Sequence, residues 1–134
     1  MKKEFSTSWK GSKLPRKQRK YLAKAPQHIR QRIASSHLSK DLRQKYGRRG
    51  FQLRNGDSVK IMCGEYRGKT GKVSSVDFVK LRAVIEGIQI TKKDGSKTNV
   101  YINPSKLMIT ELNLEDKERL NSINKENKNT GVKK

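Results

Sequence analysis

Acidic residues are scarce in this chain of 134, where 12 Asp and Glu face 33 Lys and Arg for a formal net charge of +21. A chain charged so one-sidedly repels itself unless a polyanion neutralises it. Nucleic acid is the first candidate, an anionic membrane surface the second and an acidic protein the third. Apolar residues are scarce as well, at 31% against the ~45–50% of ordinary globular domains. No large core can therefore extend along the whole length, and the chain has room for one compact domain with extensions rather than two domains.

Other shortages exclude whole classes. Cys63 is the only cysteine, so there is no intramolecular disulfide and no cysteine zinc cluster; it reads as a small buried or half-buried residue rather than a reactive thiol. Apolar runs stop at three residues, as in Ala83-Val84-Ile85, too short for a membrane-spanning helix. "MKKEFSTSWKG" lacks the apolar segment of a secretory signal, so a cytoplasmic chain without a membrane partner is expected. His28 and His37 have no companions spaced as metal ligands, and neither a metal nor a cofactor is expected. No Ser/His/Asp set has supporting context. Asp57, Glu65, Asp77, Glu86 and Asp94 fall mostly at turns or surface strand positions, while Glu111, Glu115, Asp116 and Glu118 offset nearby lysines. Neither an enzyme nor a small-molecule substrate is implied.

What is present divides into three zones. Residues 1–54 hold 17 Lys and Arg against Glu4 and Asp41 alone, and they read as short helices. Pro15 suits the first turn of "PRKQRKYLAKA", which must stop before Pro26. Pro26 opens "PQHIRQRIA", with Ile29 and Ile33 four apart on one face. Ser39 caps "LSKDLRQKYG", with Asp41 in its first turn and Gly47 as its stop. Each is too short to stand alone in water.

The middle zone reads as strands: "SVKIM", "GKVSSV", "LRAVIEGIQI", "TNVYINP" and "KLMIT", broken by the turn signals "NGD", "GEYRGKTG" and "KKDGSK". Short strands at this spacing predict a small all-β barrel. Its core would comprise Val59, Ile61, Val73, Val76, Val84, Ile85, Ile90, Val100, Ile102, Leu107 and Ile109. The fold expected is thus mainly β: a barrel over residues 51–112, a basic, partly helical extension over 1–50 that orders on RNA, and a short helix with a disordered polar tail over 113–134.

"RGKT" within "GEYRGKTGKV" invites comparison with a phosphate-binding P-loop, which needs G-x-x-x-x-G-K-[ST] between a strand and a helix. The position five before Gly68 is Cys63, and Gly64 is one residue too close. "GKVSSVDFV" follows, which is strand-like, so spacing and context both exclude a P-loop. Gly64, Gly68 and Gly71 are instead expected to shape a tight strand–turn–strand corner. Arg67, Lys69 and Lys72 project from it, either as solvated charges or toward a phosphate backbone.

With these residues in view, "GDSVKIMCGEYRGKTGKVSSV" resembles a KOW motif, an element of SH3-like barrels in ribosomal proteins and transcription elongation factors. "PRKQRKYLAKAPQHIRQRIASSHLSKDLRQKYGRRGFQLRNGD" resembles the N-terminal extension of the universal large-subunit ribosomal protein twenty-four family, twenty-six in eukaryotes. "INPSKLMITELNLEDKERL" resembles the continuation in its archaeal-type branch. The resemblance runs from about Lys13 to Leu120, departing at Cys63, where relatives carry a basic residue, and at the less basic "HIRQRI". It implies a structural protein of the large ribosomal subunit that binds 23S-type rRNA near its 5′ domain. Support for early assembly, a place near the peptide exit tunnel and neighbouring large-subunit proteins are implied with it. The competing expectation, a KOW-containing transcription-elongation accessory factor, calls for an α/β domain ahead of the barrel, and residues 1–54 are too short and basic for one.

Lys and Arg gain affinity by displacing counterions from phosphate, and Arg adds a planar fork. The candidate RNA-binding residues are Arg16, Lys17, Arg19, Lys20, Arg30, Arg32, Arg43, Arg48 and Arg49 in the extension, with Lys60, Arg67, Lys69, Lys72 and Lys106 in the barrel. Any single lysine is as well explained by solvation; the clusters at 16–20 and 48–49 are harder to explain without a counterion. Trp9, Tyr21 and Tyr66 either stack on unpaired bases or pack against the barrel, with packing favoured for Tyr21.

Overall fold

The computed structural model describes residues 5–130. Three helices form where local chemistry starts and stops them. Helix α1 (Pro15–Lys24) has proline in its first turn and ends at Ala25, whose extended backbone is the conformation Pro26 requires. Helix α2 (Gln27–Ile33) starts from Pro26, where a missing N–H costs nothing. Helix α3 (Lys40–Tyr46) is capped by the Ser39 hydroxyl, which accepts from the Leu42 N–H, and is stopped by Gly47 at φ 63°.

Between these helices the chain does something its local sequence does not announce. Strand β1 (Ser35–Leu38) and strand β2 (Gly50–Gln52) flank α3 and pair antiparallel, Ser36 opposite Phe51. Strand β1 also lies parallel to β7 (Leu107–Glu111), His37 opposite Met108 and Leu38 opposite Ile109. Ser36, buried, donates its hydroxyl to the Pro104 carbonyl at 2.7 Å. These are strands because distant backbone partners are available, the usual way tertiary pairing overrides a weak propensity.

The remaining strands are β3 (Ser58–Ile61), β4 (Thr70–Asp77), β5 (Arg82–Thr91) and β6 (Lys97–Ile102). The sheet runs β2-β1-β7-β3-β4-β5-β6, so with four α-helices the molecule is mixed α/β rather than mainly β. Register shifts between Val73 and Ser75 and between Val84 and Gln89 bend β4 and β5. Val59, Ile61, Val73, Ile85, Leu107 and Ile109 alternate inward and are buried, joined by Leu38, Phe51, Leu53, Ile88 and Ile123. Ile90, expected inside, is 51% exposed. Strand β5 pairs with β4 only from Arg82 to Ile85, and beyond that point its ladder is to β6 alone. Ile90 there pairs with Thr98 of β6. Val76 and Val100 are half-buried against the core.

Helix α4 (Lys117–Thr130) closes the described chain; the final residues of the expected polar tail, 131–134, lie outside the described residues. Its anchor is Arg119, whose Nη1 and Nη2 donate to Asp57 Oδ1 and Oδ2 at 2.6 and 2.7 Å. The carboxylate, fully buried, also accepts the backbone N–H groups of Arg54 and Asn113, both at 2.9 Å. Arg119 donates further to the carbonyls of Asn113 (2.7 Å) and Gln52 (3.0 Å) and lies 5.3 Å from the centre of the Phe51 ring. One turn later, Ile123 is buried in the core. An exposed pair, Arg54–Asp116, sits nearby and holds the Asp116 carboxyl below its ordinary value; exposed pairs add little stability.

Arg119→Ala leaves the Asp57 carboxylate buried and half-compensated, and is expected to lower stability by about 3–5 kcal/mol. Arg119→Lys, which keeps the charge and loses the fork, should fall between. Urea denaturation measures both; an Arg119→Ala loss below about 1 kcal/mol would mean that the pair does not hold α4.

Candidate nucleic-acid interface

The glycine-rich stretch forms the β3–β4 connection. Ile61 N–H donates to the Lys69 carbonyl and Gly68 N–H to the Ile61 carbonyl, both at 2.9 Å, closing the loop on itself. Gly68 turns at φ 88°, in the left-handed region that side chains avoid, and Gly64 at φ 98°. A strand follows, not a helix, so the loop has no helix N-terminus to offer a phosphate. Gly71 has a different task. A Cβ there would lie 2.8 Å from the Glu86 carbonyl oxygen and 2.7 Å from Ile85 Cγ2, so glycine is what lets β4 approach β5. Cys63, expected to be at least half-buried, is exposed, because it lies past the end of β3 in this loop.

Arg67 and Lys69 are exposed on the loop, and Met62 N–H donates to the Lys106 carbonyl at 2.9 Å. That bond sets Lys106 beside the loop entrance, so these three cations share one end of the sheet. Tyr66 is half-buried against the core, with Lys69 Nζ 5.0 Å from its ring centre. Lys60 and Lys72 point away from the core, because Val59, Ile61 and Val73 on the same strands point into it. Lys60 faces Thr70 and Lys72 faces Ser58, which makes the two lysines diagonal neighbours on one surface.

On α1, residues 16, 17, 20 and 24 fall on one side at 100° per residue, and Arg16, Lys17, Arg19 and Lys20 are all exposed. Tyr21, on the flank of that side next to Lys17, is buried with its ring 4.9 Å from Phe5, so it packs within the extension rather than in the core of the sheet. Arg32 and Arg49 are exposed. Three other candidates are half-buried and hold the fold. Arg30 Nη2 donates to the Ala23 carbonyl at 2.6 Å, joining α2 to α1, and Arg43 Nε donates to the Leu38 carbonyl at 2.7 Å, joining α3 to β1. Arg48 lies 5.2 Å from the centre of the Phe51 ring, where burial lowers its pKa.

Sequence reasoning passed over Lys80, Arg82, Lys92, Lys93 and Lys97, all exposed around the turns flanking β5. Their signal was the turn chemistry itself. Asp77 accepts from the Lys80 and Val79 N–H groups, and Asp94 from the Ser96 hydroxyl and N–H. Led by the Lys80 N–H and the Ser96 hydroxyl respectively, these bonds hold both carboxyls below their ordinary values. Among the described residues, no three His, Cys, Asp or Glu side chains gather as a metal site, and no helix is long and apolar enough to cross a membrane.

Three outcomes follow for substitution. Gly71→Val forces β4 and β5 apart and should destabilise by about 1–3 kcal/mol in thermal melts; an unchanged melting temperature would remove its structural role. Arg30→Ala and Arg43→Ala should each lose about 0.5–1.5 kcal/mol with their backbone bonds. Arg16→Ala and Lys72→Ala should stay within about 0.5 kcal/mol of the parent while weakening RNA binding in filter assays.

Comparison with known proteins gives the family of the chain. Residues 12–126 match the model of the ribosomal protein family of eukaryotic L26 and archaeal L24 type. A "Large ribosomal subunit protein uL24" of Methanosphaera stadtmanae is 46% identical over 114 residues, covering 85% of this chain and 97% of that protein. A protein of the same name from Korarchaeum cryptofilum is 49% identical over 105 residues, 78% of this chain and 80% of that one. A basic, glycine-cornered sheet with a cationic helix, matched along most of its length, belongs to the uL24 family of large-subunit ribosomal proteins, which are structural proteins and not enzymes.

Proposed function

We propose that this chain is a structural, RNA-binding component of the large ribosomal subunit in the cytoplasm. The observation that carries this reading is the set of eleven exposed candidate cations, in a chain of net charge +21. None of the eleven has an acidic partner among the described residues. Such a surface is in balance only against a polyanion, and family membership points to rRNA as that polyanion.

The resemblance to the family supports the finer assignments: 23S-type rRNA near its 5′ domain, a role in early subunit assembly, and a position near the peptide exit tunnel beside other large-subunit proteins. It also supports an SH3-like barrel of KOW type as the scaffold, with β4 and β5 bent at their bulges. Lys60, Arg67, Lys69, Lys72 and Lys106 are its RNA-facing cations. The extension, residues 1–50, presents Arg16, Lys17, Arg19, Lys20, Arg32 and Arg49. RNA completes its ordering, since Tyr21 is the only side chain that α1 buries.

The test is the salt dependence of binding to large-subunit rRNA fragments. With six to ten phosphates neutralised, affinity should fall roughly 10³- to 10⁵-fold between ~50 and ~200 mM salt. Replacing any one phosphate-facing cation should reduce the log–log slope by about one. A flat titration would reject the electrostatic mechanism, and native protein that never sediments with large subunits would reject the ribosomal assignment.

A further inference from the structure

The N-terminal turn carries a feature that neither phosphate contact nor core packing explains. Residues Thr7–Gly11 form a 3-10 turn, held to α1 by the Gln18 side chain. Gln18 Nε2 donates to the Lys10 carbonyl at 3.0 Å and also to the Ser12 carbonyl. The Ser6 hydroxyl oxygen accepts from Ser8 N–H at 3.3 Å and caps the turn's start. Phe5 and Tyr21 pair with each other beneath it. The turn is therefore tied to α1, and yet the largest side chain on it is left out: Trp9 is 50% exposed. A single exposed apolar side chain is ordinary; what sets Trp9 apart is the hollow it lines.

That surface is part of a hollow. Trp9, Ser8, Ser12, Lys17 and Lys20 line a space of about 410 Å³, within the ~300–1,000 Å³ range of small-ligand clefts. Its lining is mostly apolar, the Trp9 indole among it, and Lys17 and Lys20, three residues apart on one side of α1, both border it and are exposed. Neither lysine has an acidic partner among the described residues. A flat π-surface bordered by two cations complements one chemical unit: a planar heterocycle linked to a phosphate.

We infer that this hollow is a nucleotide-binding notch, in which one unpaired base of an RNA strand stacks on Trp9 while its phosphate lies between Lys17 and Lys20. The inference rests on the RNA-binding function proposed above and adds to it a preference for unpaired over duplex RNA. Stacking on an aromatic face accepts any base, so the notch selects exposed loops and ends rather than a sequence.

Trp9 is the sole tryptophan, so tryptophan emission, excited beyond the absorption of the tyrosines, reports on this site alone. The full chain would be titrated with a single-stranded oligo(A) and with a blunt RNA duplex of equal length, and binding measured in parallel on filters. Oligo(A) should quench Trp9 emission as it binds; the duplex should bind with little quenching. Trp9→Ala should weaken oligo(A) binding by about 5- to 150-fold and leave duplex binding and melting temperature unchanged. Trp9→Phe, which keeps a smaller ring, should recover part of the loss. Binding of both RNAs without quenching, or with Trp9→Ala at parental affinity, would overturn the notch and leave the RNA-binding function standing. No binding of either RNA would bring down both. An emission change with anionic lipid vesicles and none with oligo(A) would reassign the indole to a lipid surface and overturn the proposal.

Discussion

The structure depends most on a carboxylate with no access to water. Asp57 is fully buried and charge-paired with Arg119, and a lone carboxylate in such a place would be strongly destabilising. It is tolerable because four N–H groups converge on it: two from the Arg119 fork and one each from the Arg54 and Asn113 backbones. Through Arg119 the same cluster reaches the Gln52 carbonyl. The end of β2, the turn before β3, the segment after β7 and helix α4 thus meet at one point. Such pairs specify an arrangement better than they add net stability over an apolar alternative. The geometry supports that role here, since β2 is three residues long and the cluster fixes where the first turn of α4 meets it. Arg119 Nε is buried with no hydrogen-bond partner among the described residues, so the cluster specifies position at some energetic expense.

Positive charge in this chain divides into two kinds of work. Arg30, Arg43 and Arg119 spend their donors on backbone carbonyls or a buried acid, and Arg48 lies along an aromatic ring. The planar fork explains why arginine rather than lysine fills these places. Among the described residues, Arg16, Lys17, Arg19 and Lys20 on α1 and Lys60, Lys72, Arg67 and Lys69 on the β3–β4 surface and its loop make no such bonds. A net charge alone cannot separate these groups; burial and bonding partners can.

What could be read from the sequence was whatever is decided locally. Pro15, Pro26, Ser39 and Gly47 mark helix ends by chemistry confined to a few residues, and three helices form within those limits. Alternation placed Val59, Ile61, Val73, Leu107 and Ile109 inside, where they are. The spacing argument against a P-loop agrees with the strand that follows the glycines. What could not be read was decided at a distance. Ser35–Leu38 is a strand because of partners on β7, and Ile90 is exposed because the neighbouring strand ends before reaching it. Asp57 passed as a turn residue, and nothing near it indicates that Arg119 is its partner. On the candidate surface, sequence supplied the residue types but could not tell Arg43, bonded to Leu38, from Arg49, open to solvent.

The parallel pairing of β1 with β7 also bears on biosynthesis. Ser36 bonds to a carbonyl 68 residues further along, and Asp57 to a guanidinium 62 residues further along. A chain emerging N-terminus first cannot close either contact until nearly all of it has been made, and topologies rich in such long-range closures fold slowly. During that interval the cationic leader is already outside while the sheet meant to carry it is unfinished. Newly made molecules are then polycations without a scaffold, able to attach to any nearby nucleic acid before their own architecture is complete.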